Sequence, residues 1–279
     1  MASQSFLASL SDLALLKVTG SEKEAFLHGQ FTSDIINQQN NSSSFTAWCN
    51  PKGQVIVTML VIKTDDIIFL LFKTDQKDYV LKRLSMFVLR ADVKIEDVSN
   101  KLHIFCSNGL IKTIPESTTV FPLPDKQYYL YLSEDESFPM KMADDIEVTT
   151  ETNWQAHFIL AGYPWLSEIN KEKFLPQMLN LDQLQGLSYK KGCYPGQEVI
   201  ARLHYRGEVK RRLQVITSKE DLTEGSTITN NNTNAGTIIN AVKKNDEFIA
   251  LAVIDIDKLD ENLKTSNGES IKILATSKS

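Results

Sequence analysis

The longest apolar runs in this chain, residues 55–62 and 67–72, are of strand length and too short for membrane helices. A spanning helix needs about 18 to 20 consecutive apolar residues. The core must therefore be assembled from short elements. A strand over 45–49 precedes the first run. Asn50-Pro51-Lys52-Gly53 joins them with Asn first, Pro second and Gly fourth, as a type I turn prefers. Residues 75–89 read as an amphipathic helix, with Val80, Leu84, Phe87 and Val88 on one face. Val93 and Ile95 alternate with charges, as in a half-buried strand. Strands and helices mix without a βαβ rhythm, which implies α+β and not a parallel sheet.

Other segments carry local signals. Ser21 and Glu24 have the spacing of a capping box, ahead of Ala25, Phe26 and Leu27, with Gly29 as the expected stop. Strands are expected near 101–106 and 127–132. A helix over 153–161 puts Trp154, Phe158 and Ala161 on one face and ends at Gly162. From residue 209 the pattern becomes short strands between polar turns, over 212–217, 235–242, 248–254 and 270–274. That pattern reads as a small C-terminal β-barrel. The expected division is 1–208 and 209–279, firmly packed, since no flexible linker separates them.

Composition narrows the function classes. The chain has 279 residues, 42% hydrophobic and 23% charged, as a soluble globular protein does. That length suits one large domain or two ordinary ones. A net charge of -5 argues against a dedicated nucleic-acid binder. No basic residue precedes the apolar positions of Met1 to Leu16, which argues against a secretory signal or transit peptide. The expected location is the cytoplasm. Cys49, Cys106 and Cys193 form no CxxC pair. A disulfide framework and a self-contained zinc or iron–sulfur site are both disfavoured, so no metal is expected of this chain alone. One cysteine could still give a single ligand to a site shared with a partner.

The densest chemistry lies in Lys190-Lys191-Gly192-Cys193-Tyr194-Pro195-Gly196-Gln197-Glu198. Nearby lysines favour a thiolate, and glycines allow a tight turn. Cys193 reads as a reactive thiol or, equally, as a buried structural one. In a strand, Lys190 and Lys191 would face opposite sides, so only one would lie near the sulfur. Arg202, Arg206, Lys210, Arg211 and Arg212 make the one basic cluster, on what reads as a strand. His204 could be a base partner of Cys193, but its spacing carries little meaning.

Lys191 to Glu198 match the pattern KGC-[FY]-x-GQE, and Phe26-Leu27-His28-Gly29-Gln30-Phe31-Thr32-Ser33-Asp34 matches FLxGQxTxD. On these motifs the chain resembles the YgfZ family, folate-binding relatives of the glycine-cleavage aminomethyltransferase (T-protein). The resemblance implies an aminomethyltransferase-like folate-binding region of interlocked α+β subdomains, followed by the small barrel. It implies tetrahydrofolate or a derivative as cofactor, and iron–sulfur proteins, including tRNA-thiolating enzymes, as partners. The implied functional thiol is Cys193, within Lys191, Gly192, Tyr194 and Gly196. The implied folate contacts are Trp154 and Leu13, where the family carries tryptophans, with Gln197 and Glu198 able to contact folate or pin the turn. Leu13 departs from the family, since it offers no π-face. The transferase relatives carry an aspartate just after the turn matching Lys52-Gly53-Gln54. Here no carboxylate occurs between Gly53 and Asp65. A proton-handling group must lie within hydrogen-bond reach of its target. The expectation is thus an accessory protein and not a catalyst, with a folate-dependent aminomethyl- or methyltransferase as the alternative.

Overall fold

The computed structural model describes residues 6–142, 146–260 and 262–274. The first five residues of the stretch read for a leader lie outside these. The chain opens with β1 (Phe6–Ser9), β2 (Leu13–Thr19), α1 (Lys23–Gln30), β3 (Ser42–Cys49), β4 (Val55–Lys63) and β5 (Ile68–Lys73). It continues with α2 (Lys77–Ser85), β6 (Lys94–Asp97), β7 (His103–Ser107), β8 (Thr118–Pro122), β9 (Tyr129–Ser133), α3 (Phe138–Met142) and β10 (Glu147–Val148). Then come α4 (Glu151–Leu160), α5 (Gln197–Arg206) and β11 (Arg211–Ser218). The last elements are β12 (Thr227–Asn230), β13 (Thr233–Lys244), β14 (Glu247–Asp255), β15 (Leu263–Thr265) and β16 (Lys272–Leu274).

Three sheets result, in the orders β10-β1-β7-β9-β8, β3-β4-β5-β2-β6 and β15-β12-β13-β14-β11-β16. The α+β reading holds. The third sheet is an antiparallel half-barrel, with register shifts at Ile228/Thr229 and Ile238/Asn240.

The apolar run of β4 follows from burial on both faces, since every one of its residues is buried. Leu60 and Ile62 enter the central core, while Val57, Met59 and Val61 pack with Leu27 of α1 and Val80 and Leu84 of α2. Side chains alternate faces along a strand, so covering both faces makes the sequence continuously apolar. Each such aliphatic side chain contributes about 1.5–3 kcal/mol on burial.

The central core joins all three sheets. Ala8 and Cys106 come from the first sheet, Leu15 and Phe45 from the second, and Val215, Ile239 and Leu251 from the third. Trp154, Phe158 and Ile159 of α4 lie within it. Thr150 caps α4, its side-chain oxygen accepting from Asn153 N at 3.3 Å.

Four local expectations are corrected. The capping box does not form. Ser21 Oγ donates to Asp92 at 2.7 Å, and Lys63 Nζ takes the Glu24 carboxylate at 2.9 Å. Both side chains have distant partners, so α1 starts at Lys23 without a side-chain cap. Gly29 lies inside α1, which ends where Phe31 turns extended. The helix over 75–89 shrinks to α2. Phe87 leaves its face to meet Trp48 edge-on, and Leu89 sits at φ +48°. Residues 197–206 form a helix and not an arginine-rich strand. Gly196, left-handed at φ +81°, turns the chain into α5, whose Ile200 is buried.

Candidate functional site

The signature segment is an irregular turn, so strand alternation does not govern its lysines. Lys190 is exposed, while Lys191 turns inward. Its ammonium donates to the carbonyls of His28, Phe31 and Ser33 at the end of α1. A cation there meets carbonyls that the helix leaves unpaired. Lys191 also sits 4.8 Å from the Tyr194 ring centre. Its partners are carbonyls, so Lys191 anchors the turn. Gln197 Nε2 donates to Lys191 O at 3.3 Å and closes the loop. Gly196 rests against the Asn50–Gly53 turn, whose closing bond runs from Gly53 N to Asn50 O at 2.9 Å.

Cys193 is exposed on this anchored turn, whereas Cys49 and Cys106 are buried. Burial pushes the thiols of Cys49 and Cys106 up and leaves them inert. Brief iodoacetamide treatment of the folded protein should therefore carbamidomethylate Cys193 alone. Cys49 and Cys106 should react only after denaturation, as read by peptide mass spectrometry.

Burial pulls Lys191 down to about 8, against the opposing pull of Asp34. The same burial, with Lys191 beside it, lowers His28. An unfolded lysine titrates near 10.4. Between those values the unfolded chain holds more protons, so the contribution of Lys191 to stability rises with pH. Urea unfolding at pH 7.5 and 9.5 should show a smaller pH increment for Lys191→Met than for the wild type. An equal increment would contradict this environment for the ammonium.

A separate cavity lies between α4 and the second and third sheets. Leu10, Asp12, Leu13, Lys73, Phe158, Tyr163, Trp165, Glu224 and Asn240 line it. Lys73 Nζ holds Asp12 Oδ2 at 2.7 Å, and Gln155 Nε2 donates to the same oxygen at 3.1 Å. Burial raises the Asp12 carboxyl, but bonding and Lys73 outweigh it and hold the group low. Its neighbour Glu151 is raised, by burial and by Asp12. Glu224 accepts from Ser167 Oγ at 2.8 Å and Asn240 Nδ2 at 3.3 Å. The indole N–H groups of Trp154 and Trp165 are buried without hydrogen-bond partners.

The sequence-derived residues divide between these two places. Lys191, Cys193, Tyr194, Gly196 and Gln197 belong to the turn. Leu13 lines the cavity, and Trp154 lies fully buried beside its wall residues Gln155 and Phe158. Gln197 and exposed Glu198 do not line it. His204 stacks on Tyr189 at 3.8 Å. Asp12, Lys73, Trp165 and Glu224 were missed. Asp12 adjoins Leu13 and was within reach of sequence reasoning, but nothing local marks Glu224.

No family model matches the chain. It is 28% identical over 237 residues to the tRNA-modifying protein YgfZ of Vibrio atlanticus (strain LGP32), covering 80% of this chain and 73% of that protein. It is 27% identical over 286 residues to the tRNA-modifying protein YgfZ of Aliivibrio fischeri (strain MJ11), covering 95% and 89%. The chain is similar to the YgfZ proteins over most of its length. Its fold matches the glycine cleavage system aminomethyltransferase T from Bartonella henselae, with a TM-score of 0.75 over 97% of this chain and 85% of that one. That likeness, at 11% identity, concerns the fold alone.

The cavity residues suit a pterin in chemistry. They combine aromatic and aliphatic walls with carboxylates able to accept from an amino-pyrimidine edge. The indole N–H of Trp165 adds an unused donor. The cavity measures about 30 Å³, far below the roughly 300 Å³ at the lower end of ligand pockets and too little for a bicyclic ring. A pterin would enter only as its walls move apart. No helix among the described residues is long and apolar enough to cross a membrane. No cluster of His, Cys, Asp or Glu able to hold a metal occurs among them.

Proposed function

We propose that this chain is a folate-binding accessory protein of the YgfZ kind. It supports iron–sulfur enzymes and, through them, tRNA modification in the cytoplasm. Its folate-binding region is 1–208 and its C-terminal barrel 209–279. Cys193 is the working thiol. The observation that carries this reading is its exposure on a turn fixed by Lys191 and Gly196. A lone accessible thiolate suits passing contact with a cluster held elsewhere, since clusters take sulfur ligands. Tetrahydrofolate or a derivative occupies the cavity of Leu13, with Trp154 behind it.

Titration with folinic acid tests the cofactor, followed by intrinsic tryptophan fluorescence. Binding should saturate in the wild type and weaken about tenfold or more in Asp12→Asn, which loses a charged acceptor. Cys193→Ser should bind folinic acid normally yet fail to restore iron–sulfur enzyme activity in a cell lacking the protein. Full restoration by Cys193→Ser would reject the thiol role, and absence of folinic acid binding would reject the cofactor. One observation favours the transferase alternative. Asp12 brings to the cavity a carboxylate that β4 does not provide. Formation of methylene-tetrahydrofolate from an aminomethyl donor would decide for it.

A further inference from the structure

The basic residues around α5 lie beside an aromatic stack in which His204 is exposed and Tyr189 half-buried. The rings of Tyr189 and His204 are parallel within 10° at 3.8 Å, and Tyr205 meets His204 edge-on at 4.7 Å. Tyr205 is 67% exposed, although a phenol ring gains by burial. Arg202 and Arg206 are one helical turn apart, on the face that also carries Tyr205. Lys190, Lys210 and Arg211 flank the helix, all exposed. Among the described residues, none of Arg202, Arg206, Lys210 and Arg211 has a carboxylate within ion-pair distance. Arg212 differs, being held by Asp182 at 2.7 Å. Glu198 and Glu208 offset part of the positive charge.

We propose that this surface binds single-stranded RNA, with phosphates on Arg202, Arg206, Lys210 and Arg211 and a base stacked against Tyr205. Free cations interleaved with exposed rings are the two elements such binding requires. The net charge of -5 argues against a dedicated nucleic-acid binder but leaves a local basic patch effective, because charges beyond about 8 Å are screened at physiological ionic strength. An acidic protein would match the cations equally well, but would give the exposed aromatic rings no base to stack on. Tyr189 is four residues from Cys193, and four residues span at most about 14 Å. A strand bound here would lie next to the exposed thiol. The proposal goes beyond the folate reading and does not rest on it.

Fluorescence anisotropy with a fluorescein-labelled 12-nucleotide single-stranded RNA provides the test. Affinity should fall with salt, at a log–log slope of about -0.7 for each phosphate engaged. Arg202→Glu/Arg206→Glu should weaken binding tenfold or more, while Lys264→Glu, on the exposed face of β15, should not. Tyr205→Ala should weaken it roughly 5- to 150-fold, with melting temperature and far-ultraviolet circular dichroism as folding controls. Undetectable binding at 50 mM salt would overturn the proposal. So would an unchanged Tyr205→Ala affinity, or displacement of the RNA by inorganic polyphosphate as readily as by unlabelled RNA.

Discussion

Gly196→Ala is expected to destabilise the fold by about 3 kcal/mol or more and to release the Cys193 turn. Gly196 has φ +81°, which a side chain resists. A Cβ there would lie 2.5 Å from Gly53 Cα, 2.6 Å from Asn50 O and 2.7 Å from Gly53 N. All three are backbone atoms, so no side-chain rotation relieves the overlap. The opposing turn is itself fixed, because Asn50 Oδ1 accepts from Lys52 N and Gln54 N, each at 3.0 Å. Gly53, at φ +77°, cannot give way without leaving its own conformation. Gly192→Ala is the matched control. Its Cβ would meet only His28 Nε2, at 3.9 Å, and should cost little. Urea midpoints compare the two variants, and the rate of Cys193 alkylation reports the turn. Equal midpoints would mean that this contact does not hold the signature in place.

That contrast shows what the sequence could convey. The motif announced two glycines around a cysteine, and both looked alike. Only the fold tells them apart, because the partner of Gly196 lies more than a hundred residues away in the Asn50–Gly53 turn. Strands β4 and β5 were legible because burial on both faces leaves long apolar runs. Helix α5 was missed because the arginines obscured the spacing of Ile200 and Leu203. The capping box failed for a related reason. Ser21 and Glu24 satisfy a local rule, but Asp92 and Lys63 compete for them from other elements. The cavity was only partly legible. Leu13 and Trp154 entered through resemblance to a family, whereas Lys73, at the end of β5, and Glu224, in the turn before β12, meet only after folding. Residues that act by convergence leave no local pattern.

Trp154→Ala should destabilise the protein by about 3–5 kcal/mol, the usual cost of deleting a large buried aromatic side chain. Trp154 is fully buried. Its ring meets Phe6 at 5.5 Å, Tyr128 at 5.0 Å and Phe158 at 4.9 Å, each close to edge-on. Truncation would open a void among these rings at the junction of α4 with the first sheet, and three aromatic walls cannot collapse to fill it. Trp154→Phe retains much of the volume and should cost clearly less, while removing an indole N–H that has no partner. Chemical denaturation followed by circular dichroism measures both without using tryptophan emission. A loss below about 1 kcal/mol for the alanine variant would show that the core repacks and that this ring is dispensable to it. The size of the expected loss also governs how folate binding must be tested. A protein weakened this far can fail to bind folinic acid without Trp154 ever touching the ligand. Trp154→Phe, which keeps the core filled, and Asp12→Asn, at the cavity wall, separate contact from collapse. If both bind as the wild type does, the cavity is not the folate site, whatever the alanine variant does.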